Sequence, residues 1–330
     1  MRRREFITLL GGAAAAWPPT ARAQRPQRMR RIGVLMGYVE GDADAQSNVA
    51  AFREEFQKLG WRQDQNVRFE YRWATSNVEL MQRYAKELVA LAPDLILSSG
   101  TPTTAALVQQ TSTIPIVFTV VVDPVGSGFV ASLARPGRNV TGFMNLDPSM
   151  AGKWVELLKE ISPRTVRVAI PIEPATASYW EIYMPHFKVA AAAFGMEAIP
   201  AMIHDMAEFE AFVAAQAREP NGGLIPMPGG FPLENRAEIT ALAARHRLPA
   251  VYWTRAFTQV GGLLSYGNDN ADNWRRTASY VDRILKGENP SELPVQFPVK
   301  FELLVNLKTA RALGLDVTLQ LQQRADEVIE

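Results

Sequence analysis

Ser99, Gly100, Thr101 and Pro102 follow the apolar run DLIL and open a stretch with helical spacing. A helix starting there offers free backbone N–H groups and the Thr101 hydroxyl to an anion such as a carboxylate. Gly37 and Tyr38 end the first apolar run, and Asp123 with Pro124 end the third. Thr101 is read as facing a ligand. Asp123 either accepts a hydrogen bond from a ligand donor or fixes its own loop as a cap. Further along, runs end at Glu173-Pro174, Pro228-Gly229-Gly230-Phe231, Trp253-Thr254-Arg255 and Tyr266-Gly267-Asn268-Asp269. Tyr38, Phe231, Tyr252, Trp253 and Tyr266 supply flat faces suited to a ring or an apolar side chain. Tyr252 alternates with Val251, which suits a core position as well. Arg255 is the strong cation at a strand end, and it pairs either a ligand carboxylate or an acidic side chain.

Covalent and redox chemistry have no such candidates. The chain has no cysteine, which excludes a thiol nucleophile, a disulfide scaffold and thiolate metal sites. Its three histidines, His186, His204 and His246, are isolated from one another and fall on or beside helical stretches. No G-x-x-x-x-G-K-[ST] loop or G-x-G-x-x-G turn is present, and Gly126-Ser127-Gly128 is not a G-x-S-x-G elbow. The sequence therefore predicts no catalytic residue, no metal site and no cofactor.

These groups need elements to hold them. The chain has 330 residues, 47% of them hydrophobic and 21% charged, the size and composition of a globular protein of two ordinary domains. Apolar runs at 32–37, 94–100, 114–124 and 140–144, then at 166–174, 222–230, 248–253 and 262–267, read as strands. Between them lie helical stripes: Val49, Phe52, Phe56 and Leu59; Met81, Tyr84, Leu88 and Leu91; Trp154, Leu157, Leu158 and Ile161. Apolar strands alternating with amphipathic helices predict an α/β protein with parallel sheets. LILSSG followed by a helix and IPIVF is echoed by GLIPMPGG, a helix and LPAVYW, so two similar Rossmann-like lobes joined near residue 145 are expected. Ligands bind beyond the carboxyl ends of parallel strands. Two lobes facing each other by those ends make a cleft that closes about a hinge.

The first 23 residues read as an export signal: Arg2, Arg3 and Arg4, an apolar run from Phe6 to Trp17, and Ala21-Arg22-Ala23 as the cleavage site. Arg3-Arg4-Glu5-Phe6-Ile7 fits the twin-arginine pattern. Cleavage after Ala23 removes four arginines and one glutamate, turning a net charge of +1 into −2. The expected product is periplasmic, with no polyanion-seeking charge and hence no nucleic-acid partner.

The stretches RRIGVLMGY, APDLILSSGTP, TIPIVFTVVVDPVGSGFVASLARPGRNVTGF, GKWVELLKEISP, GGLLSYG and YVDRILKGENPSELPVQFPVKFELLVNLKTARALGL resemble the ABC-transporter substrate-binding family. Characterised members of that family take up tryptophan or tyrosine. The resemblance covers nearly all of residues 30–330. It implies the type I periplasmic-binding-protein fold, with 30–145 plus about 268–296 in lobe 1 and 146–267 plus about 297–330 in lobe 2. It implies a ligand against Gly37, Tyr38, Thr101, Asp123, Pro174, Pro228, Tyr252 and Tyr266, and delivery by a monomeric shuttle to an ABC permease in the membrane. The sequence departs from the family at Glu173-Pro174, where relatives often have Asn-Pro, and at Gly229-Gly230, where they often have an acid. It also has Arg255 where an acidic or hydroxyl residue is usual. Losing an acid and gaining an arginine moves the expected ligand from an amino acid toward an aromatic or other organic carboxylate. Two rival readings stay open: a ligand sensor for a signalling system, and an enzyme on a Rossmann-like scaffold.

Overall fold

In the computed structural model, which describes residues 28–330, five parallel strands make the first sheet in the order β2-β1-β3-β4-β5. They are β1 (Arg30–Met36), β2 (Val67–Trp73), β3 (Leu95–Ser99), β4 (Ile116–Val121) and β5 (Val140–Met144). The expected export segment lies outside the described residues. Alternate side chains of the inner strands feed two cores. Ile32, Val34, Leu95, Leu97 and Val117 join α1 (Ala43–Lys58) and α10 (Asn270–Leu285) on one face. Leu35, Ile96, Ile116 and Phe118 meet α2 (Val78–Ala90) and α3 (Thr101–Gln110) on the other. Burial on both faces is why the central strands read as continuous apolar runs. Leu59 and Leu91 cap α1 and α2 instead of continuing their stripes.

The second sheet runs β7-β6-β8 with β6 (Arg167–Ile172), β7 (Glu197–Met202) and β8 (Gly222–Leu224). A bridge from Leu224 to Ala250 continues it into β9 (Val251–Tyr252), β10 (Leu264–Asn268), β11 (Phe301–Asn306) and β12 (Glu327–Ile329). The helices α4 (Met150–Ile161), α5 (Trp180–Ala193), α6 (Met206–Gln216), α7 (Gly230–Glu234), α8 (Arg236–Arg245), α9 (Arg255–Gln259), α11 (Leu307–Leu313) and α12 (Leu319–Arg324) complete this half. The echo between the two halves is structural. Pro115 and Pro249 stand just before β4 and β9, and their carbonyls accept from Ile96 and Leu224 of the neighbouring strands at 2.8 and 2.9 Å. A proline at a strand's start gives up no ladder donor.

One strand departs from the all-parallel expectation: β11 runs antiparallel to β10, with Asn268 opposite Phe301. Between those two residues the chain leaves for the first sheet as α10 and comes back. It re-enters beside the end of β10, so it must run the other way. Before returning, Gln296 pairs with Phe143 alongside β5. The chain thus passes between the two sheets after β5, after β10 and before β11.

Asp94, at the amino end of the first sheet, accepts from the Arg31 N–H at 2.9 Å and from the Arg30 guanidinium at 2.7 Å. Burial by itself would raise its pKa, but those two donors outweigh burial and hold the carboxyl below its ordinary value. A carboxyl whose folded pKa is depressed stabilises the protein above its unfolded pKa and loses that contribution as pH falls through the folded value. Asp94→Asn should therefore flatten the loss of thermal stability below about pH 4, measured by melting at a series of pH values. Parallel curves for the two proteins would refute this.

Candidate functional site

The carboxyl ends of the two sheets face each other across a cleft of about 640 Å³, open space included. From the first sheet the lining has Gly37 and Tyr38 after β1, Ser99 at the end of β3, and Gly100 and Thr101 opening α3. From the second it has Pro228 and Gly229 before α7, and Trp253 and Thr254 after β9.

Period-two alternation divides the serines at the end of β3. The Ser98 hydroxyl lies 2.9 Å from both the Thr103 and the Thr104 hydroxyls, which donate to the Gly100 carbonyl. Ser98 thus ties down the first turn of α3, while Ser99 faces the cleft. The Ser99 hydroxyl, in a residue 2% exposed, makes no well-formed hydrogen bond and has the Tyr38 phenol as its side-chain neighbour. Gly100 sits at the helix entry with φ +113°, a conformation glycine adopts without strain. The Thr101 hydroxyl accepts from the Val122 N–H at 3.2 Å. Burial raises the pKa of Tyr38 and of Tyr179 well above the usual phenol value, so both are neutral donors at any physiological pH. The Tyr179 hydroxyl donates to the Pro228 carbonyl at 3.0 Å.

The other expected residues stand apart from this lining. Asp123 fixes its own loop, accepting from the Gly126 N–H at 2.8 Å, and the Pro124 carbonyl accepts from Phe129 at 2.9 Å. Glu173 is 8% exposed, and its carboxylate accepts from the N–H groups of Ala175 (3.0 Å) and Thr176 (2.9 Å) and from the Thr176 hydroxyl (2.6 Å). It holds the loop that begins at Pro174. Tyr252 is 1% exposed and stacks on Phe257 with centroids 4.5 Å apart, a core position. Arg255 bonds Glu302 at 2.9 Å and Glu327 at 2.6 Å, the acidic partners of its alternative reading. Tyr266 stacks on Phe301 beside the chain crossing.

Residues not picked out from the sequence complete the cleft: Val120, Asn145, Thr176, Tyr179, Leu233 and Asn270 among them. Val120 has φ +61°, a left-handed conformation that strains a β-branched residue, and it lies where the pairing of β4 with β5 shifts register. Nothing in the run TVVVD signals that bulge. Asn145 directly follows the apolar run VTGFM, and reading the carboxyl end of that strand would have found it. Thr176 and Tyr179 lie in the loop after Glu173. Gly267 lets the Trp253 backbone come close: a Cβ there would stand 1.8 Å from the Trp253 carbonyl oxygen.

None of the described residues lining the cleft carries a charged side chain. At its mouth the halves touch. Arg236 Nη2 lies 2.6 Å from Asp42 Oδ2, and the Ser76 N–H donates to Glu234 Oε2 at 3.2 Å, with the Ser76 hydroxyl on the same oxygen. Among the described residues, no group of three or more His, Asp or Glu is placed to hold a metal ion.

Because a single oxygen of Glu173, Oε2, accepts both Thr176 bonds, Glu173→Gln can keep them at the loss of the Ala175 bond and should keep ligand affinity within a few-fold. Glu173→Ala leaves buried N–H groups unpaired and should lower stability by about 2–4 kcal/mol. Titration and melting of the two variants check this; equal loss in both would assign Glu173 a charge-dependent role.

Two Rossmann-like lobes with a cleft at the carboxyl ends of their sheets form the type I periplasmic-binding-protein architecture. The family model described as ABC transporter substrate binding protein matches residues 31–329, and the chain belongs to that family. It is a family of solute-binding proteins, which implies a small-molecule ligand, permease partners and a place outside the cytoplasm. The chain is 22% identical over 267 residues to a tyrosine-binding protein of Clostridioides difficile (strain R20291), covering 80% of this chain and 75% of that one. A conserved domain protein from Vibrio cholerae superposes with TM-score 0.84 at 27% identity, over 91% of this chain and all of that one. An ABC domain from Streptococcus pneumonia in complex with L-Trp superposes at 0.83 with 22% identity, over the same shares.

Proposed function

We propose that this protein is the periplasmic receptor of an ABC importer, exported by the twin-arginine-type segment and cleaved after about Ala23. It carries one aromatic or other small organic ligand from the periplasm to its permease as a monomer. Lobe 1 comprises 30–145 plus about 268–296, and lobe 2 the remainder, with the hinge at the three passes between the sheets. The carrying observation is the uncharged, aromatic-walled cleft bridged at its mouth by Arg236–Asp42 and Ser76–Glu234. Such contacts between separately folded halves exist only when the cleft is shut, as ligand-driven closure requires. The relatives bearing tyrosine and L-Trp in their names put aromatic compounds first among candidates.

The test is a screen of the purified protein by thermal shift, after unfolding and refolding to strip carried-over ligand, followed by small-angle scattering with any hit. A ligand at about 100 times its Kd adds roughly 2.7 kcal/mol. Closure appears as a smaller radius of gyration on binding, and an unchanged radius refutes it. Deleting the gene should abolish uptake of that ligand. Intact uptake with lost ligand-dependent gene expression would favour a sensor.

A further inference from the structure

Resting on the receptor reading, we propose that the cleft selects a monoanionic aromatic carboxylate that lacks an amine, and discriminates against the zwitterionic amino acid of the same skeleton. The carboxylate sits at the start of α3 on Ser99, the ring lies among Tyr38, Tyr179 and Trp253, and a neutral N–H or O–H of the ligand donates to Asn145.

Three independent observations carry this. The ten-residue α3 begins at the cleft, its first intrahelical bond running from the Thr104 N–H to the Gly100 carbonyl. Pro102 has no N–H, so the amides of Thr101 and Thr103 remain as donors at the positive end of the helix dipole. Beside them stands the Ser99 hydroxyl, 2% exposed, whose side-chain neighbour is the Tyr38 phenol, too far or too poorly aligned for a full hydrogen bond; it supplies an O–H donor to an anion. On the same side of the cleft, just past β5 of the first sheet, the Asn145 Oδ1, in a residue 6% exposed, is an unpartnered acceptor. Of the six buried side-chain polar atoms without a partner among the described residues, these two face the cleft, where a ligand's own groups can meet them; those of Thr119, Thr258, Ser265 and Trp274 lie outside its lining.

The third observation is where the charges went. An ammonium group taken into such a site needs a carboxylate, since an unpaired buried charge is strongly unfavourable. Glu173 and Asp123 accept backbone N–H groups of their own loops. At the mouth, Asp42 is taken by Arg236 and the Ala45 N–H, Asp44 lies 4.0 Å from the same guanidinium, and Glu234 accepts from Ser76. Arg255, the cation that would have balanced a second carboxylate, is held by Glu302 and Glu327. The lining itself is a neutral wall with one electropositive end at α3, which suits a single negative charge there, and the charged groups Asp42, Glu234 and Arg236 stand beyond Tyr38 at the mouth. Tyr38 and Tyr179 stay un-ionised phenols and add no charge of their own.

The experiment is calorimetric titration of the purified, refolded protein with matched pairs differing only in the α-amine. These are 3-(indol-3-yl)propanoate against tryptophan, 3-(4-hydroxyphenyl)propanoate against tyrosine, and 3-phenylpropanoate against phenylalanine. The acid should bind at least tenfold tighter in whichever pair binds, and Ser99→Ala should weaken it about tenfold with the melting temperature of the free protein unchanged. An amino acid that binds as tightly as its acid overturns the proposal, as does an unaffected Ser99→Ala. Binding of no member of the three pairs overturns it too. The receptor reading is judged separately, by mass spectrometry of any small molecule released when the protein, never refolded, is denatured: a released ligand keeps that reading whatever its class.

Discussion

Arg236→Ala should weaken ligand binding by about 10- to 100-fold, almost all of it as faster release. Arg236 reaches from α8 to Asp42 at 2.6 Å and to Asp44 at 4.0 Å, and the Asp42 side chain is 8% exposed. The two partners belong to different halves, so on the proposed closure the pair forms only in the closed form, and in an open form each charge would be hydrated. Removing the guanidinium leaves Asp42 buried and unpaired on closing, and breaking such a pair costs about 3–5 kcal/mol when fully buried. The mouth is partly wet, which lowers that figure, and every 1.4 kcal/mol is tenfold in affinity. The free protein should melt as the parent does. The proper partner variant is Asp42→Asn, because Asp42 also caps α1 through the Ala45 N–H at 2.9 Å and asparagine keeps that cap. The double variant should bind no worse than Arg236→Ala alone, since the two residues share one interaction. Affinity within twofold of the parent would show that the ion pair does not hold the cleft shut.

Trp154→Ala should lower stability by about 3–5 kcal/mol, the usual cost of emptying a buried indole site. Trp154 is 1% exposed in the core of the second half, parallel to Tyr183 with centroids 6.1 Å apart and tilted against Phe187 at 6.1 Å. Its Nε1–H donates to the Tyr266 carbonyl at 2.7 Å, tying α4 to β10 just before the chain crosses to the other half. The variant loses packing, leaves that carbonyl unpaired and loosens the crossing strand. The melting transition of the affected half should fall by on the order of 10 °C. Trp154→Phe should recover most of the packing and none of the hydrogen bond. A fall of less than about 2 °C for Trp154→Ala would mean that the site collapses around the missing ring.

The strand ends that line the cleft could be read because each rule involved is local. A continuous apolar run followed by Gly, Ser or Thr marks the carboxyl end of a buried parallel strand, and ligands gather there. Gly37, Tyr38, Ser99, Gly100, Thr101, Pro228, Gly229 and Thr254 were found in that way, and all line the cleft. The same rule missed Asn145, one residue past VTGFM, and stopped at Asp269, one short of Asn270.

What the residues alone determined was the fold class, the lack of a thiol or a phosphate-loop motif, and the small polar residues at the strand ends. These follow from composition and from periodicity over a few residues. Of the five aromatics named from the sequence, Tyr38 and Trp253 line the cleft and Phe231, Tyr252 and Tyr266 do not. Only the tertiary structure decided how the ionisable groups near the strand ends are paired. Arg255 has one acidic partner 72 positions away, at Glu327, and Glu173 turns back on its own loop. Asp42 waits for an arginine from the other half. A charge is directed by whichever opposite charge or N–H group folding brings within about 3 Å, and that choice has no period in the sequence. The strained turn at Val120 belongs with them, since a bulge arises from how two strands fall into register and not from the residues of either one.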